Sequence, residues 1–204
     1  MRHATEGVTE ALLESAKKEF LAYGFKDASL RRISAASGVS TNSIYTRFRD
    51  KADLFDSVVR EPADELMNIY RSSIDKAKGY ANPEDAMREG KEGADRVLVY
   101  IFEHKEIFQL LFRSCAGTNY ENYYDELSNV EEEYYQFFAK KYAGMYSDIN
   151  PFFIHVHCRL SWQYVYEILS HDLTYEQARA FMKDVGIFQN AGWRALLGAK
   201  DKER

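Results

Sequence analysis

The chain has little of what most folds use to cross-link or interrupt themselves. Only two cysteines, Cys115 and Cys158, occur in 204 residues, far apart and without a CxxC or metal-like spacing. That excludes a disulfide framework and makes a reducing compartment the default. Three prolines and 11 glycines leave long stretches without breakers, which favours helix. No run alternates strictly for long enough to argue for a strand. The longest strongly apolar run, Val97 to Phe102, is far too short to span a bilayer. Glu6, Glu10 and Glu14 stand where a signal peptide would need an apolar core. The expectation is an all-α, cytoplasmic protein with no membrane partner. No nucleophile elbow, P-loop, HExxH or dinucleotide fingerprint occurs, so neither an enzyme nor a cofactor is expected.

What is present supports a core. Hydrophobic residues make up 46% of the chain, with 15 Tyr and 13 Phe, enough for one large domain or a small and a larger one. The prolines act as punctuation. Asn82-Pro83 and Asn150-Pro151 each set an N-cap residue before a proline at the first helical position. Thr174-Tyr-Glu-Gln177 is a capping box. Helices are predicted over about 8–23, 30–37, 41–48, 51–78, 83–104, 106–114, 121–146, 151–171 and 175–199. The first ends at Gly24, read as a left-handed C-terminal residue. Pro62 lies inside the fourth and is expected to bend it near Arg60–Glu61.

Charge is unevenly spread. The formal net charge is -5, yet Lys26, Arg31, Arg32, Arg47, Arg49 and Lys51 face only Asp27 and Asp50 over residues 26–51. A basic segment on an acidic chain suggests a local anionic partner such as a nucleic-acid backbone; an ordinary solvated face is the plain alternative.

The segment at 38–51, GVSTNSIYTRFRDK, sharpens that choice. On a helical wheel Ile44 and Phe48 share one face, which Val39, Ile33 and Ala36 can join. Thr41, Asn42, Tyr45 and Thr46 share another, flanked by Ser43 and Arg47. Two short helices joined by Ser37-Gly38-Val39 form a helix-turn-helix candidate whose second helix would enter a major groove. Small polar side chains let such a helix approach base edges and hydrogen-bond there. Lys51 would add its charge to the free N–H groups at the start of the fourth helix, a natural phosphate site, and Ser29 and Arg31 occupy the equivalent start of the second.

Residues 27–54, DASLRRISAASGVSTNSIYTRFRDKADL, resemble the DNA-binding signature of the TetR family of transcriptional regulators. Ser29, Ile33, Gly38, Val39, Ser40, Tyr45, Phe48, Lys51 and Leu54 carry the likeness, with Ser34 in place of the usual Ala. Asn42 stands where Gly, Ala or Pro is common and Arg47 where His or Tyr is common, so no operator sequence can be carried over. The resemblance covers the first quarter of the chain by motif. It implies an N-terminal three-helix helix-turn-helix DNA-binding domain, residues 1–50, and a six-helix C-terminal effector-binding and dimerisation domain, residues 51–204. The implied contacts with a double-stranded DNA operator come from Ser29, Arg31, Ser40, Thr41, Asn42, Ser43, Tyr45, Thr46, Arg47 and Lys51. The implied partners are DNA, a second copy of the chain and a small effector; a TetR-like protein whose main partner is another protein is the alternative.

The same resemblance assigns the middle helices to the effector, with His104, Phe108, Phe112, Tyr134, Phe138, Trp162 and Tyr166 as inward-pointing candidates. The aromatic surplus hints at a largely apolar ligand. It also pairs the last two helices with their symmetry mates as a four-helix bundle. Helix 151–171 is apolar around most of its wheel and needs burial on two sides. Helix 175–199 carries Ala178, Phe181, Val185, Phe188 and Gly192 on one stripe and Gly186, Asn190, Trp193 and Leu197 on the next. His155, His157 and Cys158 look like metal ligands, but only His155 and Cys158 share a helical face, so no metal is expected. Glu131-Glu132-Glu133 reads as a solvated face.

Overall fold

The computed structural model describes residues 2–142 and 149–197. These are helical with no strand among the described residues. The order is α1 (Arg2–Asp27), α2 (Leu30–Ser37), α3 (Thr41–Arg47), α4 (Lys51–Lys78), α5 (Pro83–Glu103), α6 (Lys105–Arg113), α7 (Tyr123–Tyr142), α8 (Pro151–Ser170) and α9 (Tyr175–Leu196). The predicted extensions of the seventh and ninth helices, over 143–146 and 198–199, lie outside the described residues. Local chemistry sets the starts. Asn82 Oδ1 accepts from Asp85 N–H at 2.8 Å, and Asn150 Oδ1 from Phe152 N–H at 2.9 Å. Thr174 and Gln177 close a reciprocal capping box.

Packing forms two compact units. Residues 1–65 and 104–124 make the first; 66–103 and 125–204 make the second. The sequence-based division at residue 50 does not anticipate that α6 packs with the first helices, or that α4 contributes to both units.

In the first unit, Leu12, Ala16 and Phe20 of α1 are fully buried with Ile33, Leu54 and Phe55. Phe55 meets Phe20 and Phe25 edge-on at 5.0 and 5.5 Å. Lys17 pairs with Glu106 at 2.7 Å, and Phe25 N–H donates to Ser114 O at 3.0 Å, so both ends of α6 are fixed to α1. Gly24 breaks α1 with φ 70 and ψ 168. That is not the left-handed helical geometry expected at a C-terminus; it is an extended positive-φ conformation open essentially to glycine alone.

In the second unit, Ile74, Ala86, Tyr134, Phe138, Ile154, Cys158 and Trp193 belong to one apolar cluster. Leu98, Ile168 and Ala178 form another. The buried Glu89 carboxylate is neutralised by Lys76 at 2.8 Å and Arg96 at 2.6 Å. Lys141 Nζ donates to Lys78 O and Tyr80 O, sealing the end of α4.

Candidate nucleic-acid interface

The turn between α2 and α3 is built from backbone needs. Gly38 takes the left-handed conformation, φ 70 and ψ 6, which ends α2. Ser37 Oγ donates to Ile33 O at 2.8 Å and accepts from Val39 N–H at 3.3 Å. Ser40 then caps α3, accepting from Ser43 N–H at 3.1 Å. Val39, Ile44 and Phe48 are buried, as is Ile33. Ala36, expected to join them, is exposed: its position on α2 turns away from α3.

The opposite side of α3 faces outward. Asn42, Tyr45, Thr46 and Arg47 are exposed, Tyr45 by 58%, and Thr41 and Ser43 are half-buried. Two of these side chains fold back on their own helix. Thr46 Oγ1 donates to Asn42 O at 2.9 Å, leaving its methyl and an acceptor outward, and Arg47 Nη1 donates to Ser43 O at 3.1 Å. Arg31 and Arg49 are also exposed. A cavity of about 440 Å³ beside the turn is lined by Gly7, Val8 and Ala11 of α1 and by residues 37–40 and Ser43.

Beneath this surface lies an anchor that pattern reading missed. Glu19, only 8% exposed, accepts from Ser29 N–H at 2.8 Å and from Arg32 Nε at 2.7 Å. Arg32 also donates to Asp27 O and lies 4.2 Å over the Tyr23 ring. Burial by itself would raise the Glu19 carboxyl, but the hydrogen bonds from Arg32 and Ser29 outweigh it, and the net shift is downward. Ser29 sits at the N-cap of α2, as expected, but its side chain makes no capping bond; its N–H is what matters.

Lys51 has a similar structural duty. Its Nζ donates to Lys26 O at 2.9 Å and Ala28 O at 3.0 Å and lies 4.8 Å from the Phe25 ring. Two of its three donors therefore tie the start of α4 to the end of α1. Asp50 Oδ1 accepts from Asp53 N–H at 2.9 Å, and Asp53 from Arg49 N–H at 3.0 Å. One N–H of the first turn of α4, that of Asp53, is thus already taken by a carboxylate.

The family profile described as "Bacterial regulatory proteins, tetR family" matches residues 12–58, the span that holds this turn and its anchors. The chain is 36% identical over 58 residues to the HTH-type transcriptional repressor Rv1474c of Mycobacterium tuberculosis, covering 28% of this chain and 31% of that one. It is 38% identical over 61 residues to the HTH-type transcriptional repressor BepR of Brucella suis, covering 28% and 29%. Residues 12–58 thus match the DNA-binding domain of the tetR family. The match spans about three tenths of those relatives' length. Beyond it, likeness is one of fold. A TetR-like transcriptional regulator from Rhodococcus sp. RHA1 superposes with a TM-score of 0.60 at 16% identity, covering 95% of this chain and 97% of that one. NalD, the secondary repressor of the MexAB-OprM multidrug efflux pump in Pseudomonas aeruginosa, gives 0.58 at 17%, covering 89% and 94%. The TetR fold thus extends over nearly the whole chain.

The seven residues expected to face an effector are divided between the two units. His104, Phe108 and Phe112 fall in the first, where Phe108 is fully buried and Phe112 meets Tyr124 edge-on at 6.2 Å. His104 is half-buried and opens α6. Tyr134, Phe138, Trp162 and Tyr166 fall in the second. There Tyr134 and Phe138 are core, Trp162 is buried edge-on to Tyr70 at 5.2 Å, and Tyr166 is half-buried. The acidic run is not a solvated face. Glu131 is buried, Glu132 lies 2.8 Å from His155 Nδ1, and Glu133 alone is exposed. A helix whose neighbours cover two sides buries one position of any such run. His157 accepts from Trp193 Nε1 at 3.3 Å, and Cys158 is fully buried. No group of three or more metal-ligating side chains occurs among the described residues, and no helix there is long and apolar enough to cross a membrane.

Proposed function

We propose that the chain is a ligand-responsive transcriptional repressor that binds a pseudo-palindromic operator as a homodimer. One observation carries the DNA reading: α3 buries Ile44 while turning Asn42, Tyr45 and Thr46 outward, on a domain whose matched relatives are named as repressors. Thr41, Asn42, Tyr45 and Thr46 read base edges; Arg31 and Arg47 approach phosphate, with Ser29, Ser40 and Ser43 shaping the fit. Lys51 acts mainly through α1 and adds charge from behind.

The dimer reading is supported by apolar surface that the single chain leaves uncovered. Phe152 is 71% exposed on α8; Ile187 and Phe188 are 61% and 74% exposed on α9. The expected α9 stripe divides: Ala178 and Val185 are buried, while Phe181 and Phe188 are not. A Cβ added at Gly186 or Gly192 would meet nothing within 4 Å, so nothing inside the subunit calls for glycine there. Close approach by a second helix does. The second unit, rich in buried aromatics, takes a small, largely apolar effector. Effector binding weakens operator binding only if it favours the DNA-incompetent arrangement, and a tenfold loss requires about 1.4 kcal/mol of coupling. Footprinting on DNA flanking the gene tests the reading: a symmetric protected site supports it, and a protein that protects no site contradicts it.

A further inference from the structure

Hydrogen bonds within α3 decide what its outward side chains can still offer a partner. Thr46 Oγ1 donates to Asn42 O at 2.9 Å. A threonine hydroxyl has a single hydrogen, so this bond leaves Thr46 no donor. Back-bonding of this kind is frequent for threonine within helices. Its consequence here is that exposed Thr46 presents a methyl and an acceptor oxygen. Arg47 is drawn back in the same way, its Nη1 donating to Ser43 O at 3.1 Å, and so does not lead the face. Asn42, exposed one turn before Thr46, presents a side-chain amide with donors at one end and an acceptor at the other. Burial of Ile44 on the far side and the Ser40 cap on Ser43 N–H fix the direction in which this face points.

In a major groove these remaining groups select bases. Guanine presents only acceptors there, and Thr46 has no donor to meet them. Cytosine has a donor for the Thr46 oxygen but no methyl. Thymine alone offers a methyl, and burying one methyl against another is worth about fourfold in affinity. An asparagine amide matches the N6 donor and N7 acceptor of adenine; the guanine edge calls instead for a cation of the kind that α3 draws back. Asn42 and Thr46 lie one turn apart, about 6 Å along the helix axis, which is roughly two base-pair steps. We propose that α3 reads adenine and thymine in each half-site: Asn42 takes an adenine through its amide, and Thr46 takes a thymine, within about two steps, through its methyl. The proposal rests on the operator reading and deepens it by naming the bases.

The test uses the full chain and a site that it enriches from a random DNA pool. Each thymine of that site is replaced in turn by deoxyuridine, which removes the methyl alone, and affinity is read by fluorescence anisotropy. One thymine in each half-site should, when replaced, weaken parent binding about fourfold. Thr46→Ser keeps the hydroxyl and lacks the methyl, so the same replacement should leave its affinity unchanged. Thr46→Val keeps a methyl and should stay sensitive. A deazaadenine lacking N7, within about two steps of that thymine, should weaken the parent about fivefold or more and leave Asn42→Ala unchanged. Circular dichroism checks that each variant keeps its helices. The proposal is overturned if no thymine is sensitive in the parent, or if Thr46→Ser is as sensitive as the parent. It is also overturned if loss of N7 affects the parent and Asn42→Ala alike. Each of these results, obtained on an enriched site, removes the base assignment and keeps the operator reading. A pool without enrichment removes the operator reading, and the assignment falls with it.

Discussion

Glu19 and Glu131 are both buried carboxyls, and their opposite surroundings give opposite pH behaviour. Glu19 is lowered in the folded chain, so the unfolded chain binds its proton more readily. Its contribution to stability is complete above the ordinary carboxylate range and is lost as pH falls through the lowered value. Glu19→Gln should cost about 1–3 kcal/mol near neutrality, with the deficit shrinking in acid, as thermal melts across pH will show. Glu131 is raised, so the folded chain keeps a proton that the unfolded chain has released. Its presence becomes destabilising as pH climbs from the ordinary carboxylate range and levels off above about 8. Glu131→Gln should therefore gain on the parent over that window, by on the order of 1–3 kcal/mol at its upper end. Neither role could be read from the sequence. Glu131 sits in a run of three acids, and only the covering helix decides which of the three is buried. Glu19 meets Ser29 and Arg32 after a break at Gly24 whose direction no local pattern states.

At the scale of elements, starts were more legible than faces. Asn82, Asn150 and the Thr174–Gln177 box act on backbone groups within three residues, so the sequence contains their whole mechanism. The α3 wheel was legible because seven residues allow one buried side, and Ile44 takes it. The placement of α6 with α1 depends on distant contacts such as Lys17–Glu106 and had no local signal. Lys51 shows the same limit: its place at the start of α4 was plain, its bonds to the end of α1 were not. Lys51→Ala should lower stability by about 1–3 kcal/mol and weaken binding to all DNA sequences alike. A salt slope flattened by about one unit would assign it a phosphate as well. α4 runs as one helix through Pro62, where a backbone hydrogen bond is lost. If the proposed effector response passes along α4, Pro62→Ala keeps the dimer and changes the ratio of operator affinities with and without effector. Fluorescence anisotropy reads that ratio; an unchanged value removes Pro62 from the mechanism.

Under the proposed function the whole molecule is a symmetric reader of DNA. Its uncovered apolar surface on α8 and α9 predicts that Phe188→Asp sediments as a monomer with its helices intact and binds operator far more weakly, because two half-sites are no longer held together. The acidic balance of the rest of the chain keeps nonspecific attraction to DNA local to the basic segment at 26–51. The central claim, that α3 of a paired chain reads a specific site, is tested most directly by sequencing the DNA that the purified protein selects from a random pool. The account predicts an enriched pseudo-palindrome with half-site centres about 34–36 Å, or a multiple of that, apart. Asn42→Ala should lower affinity for it by about 1–3 kcal/mol and relax one position in each half. A pool that shows no enrichment over the protein-free control, or a motif that Asn42→Ala and Tyr45→Ala leave unchanged, would contradict it.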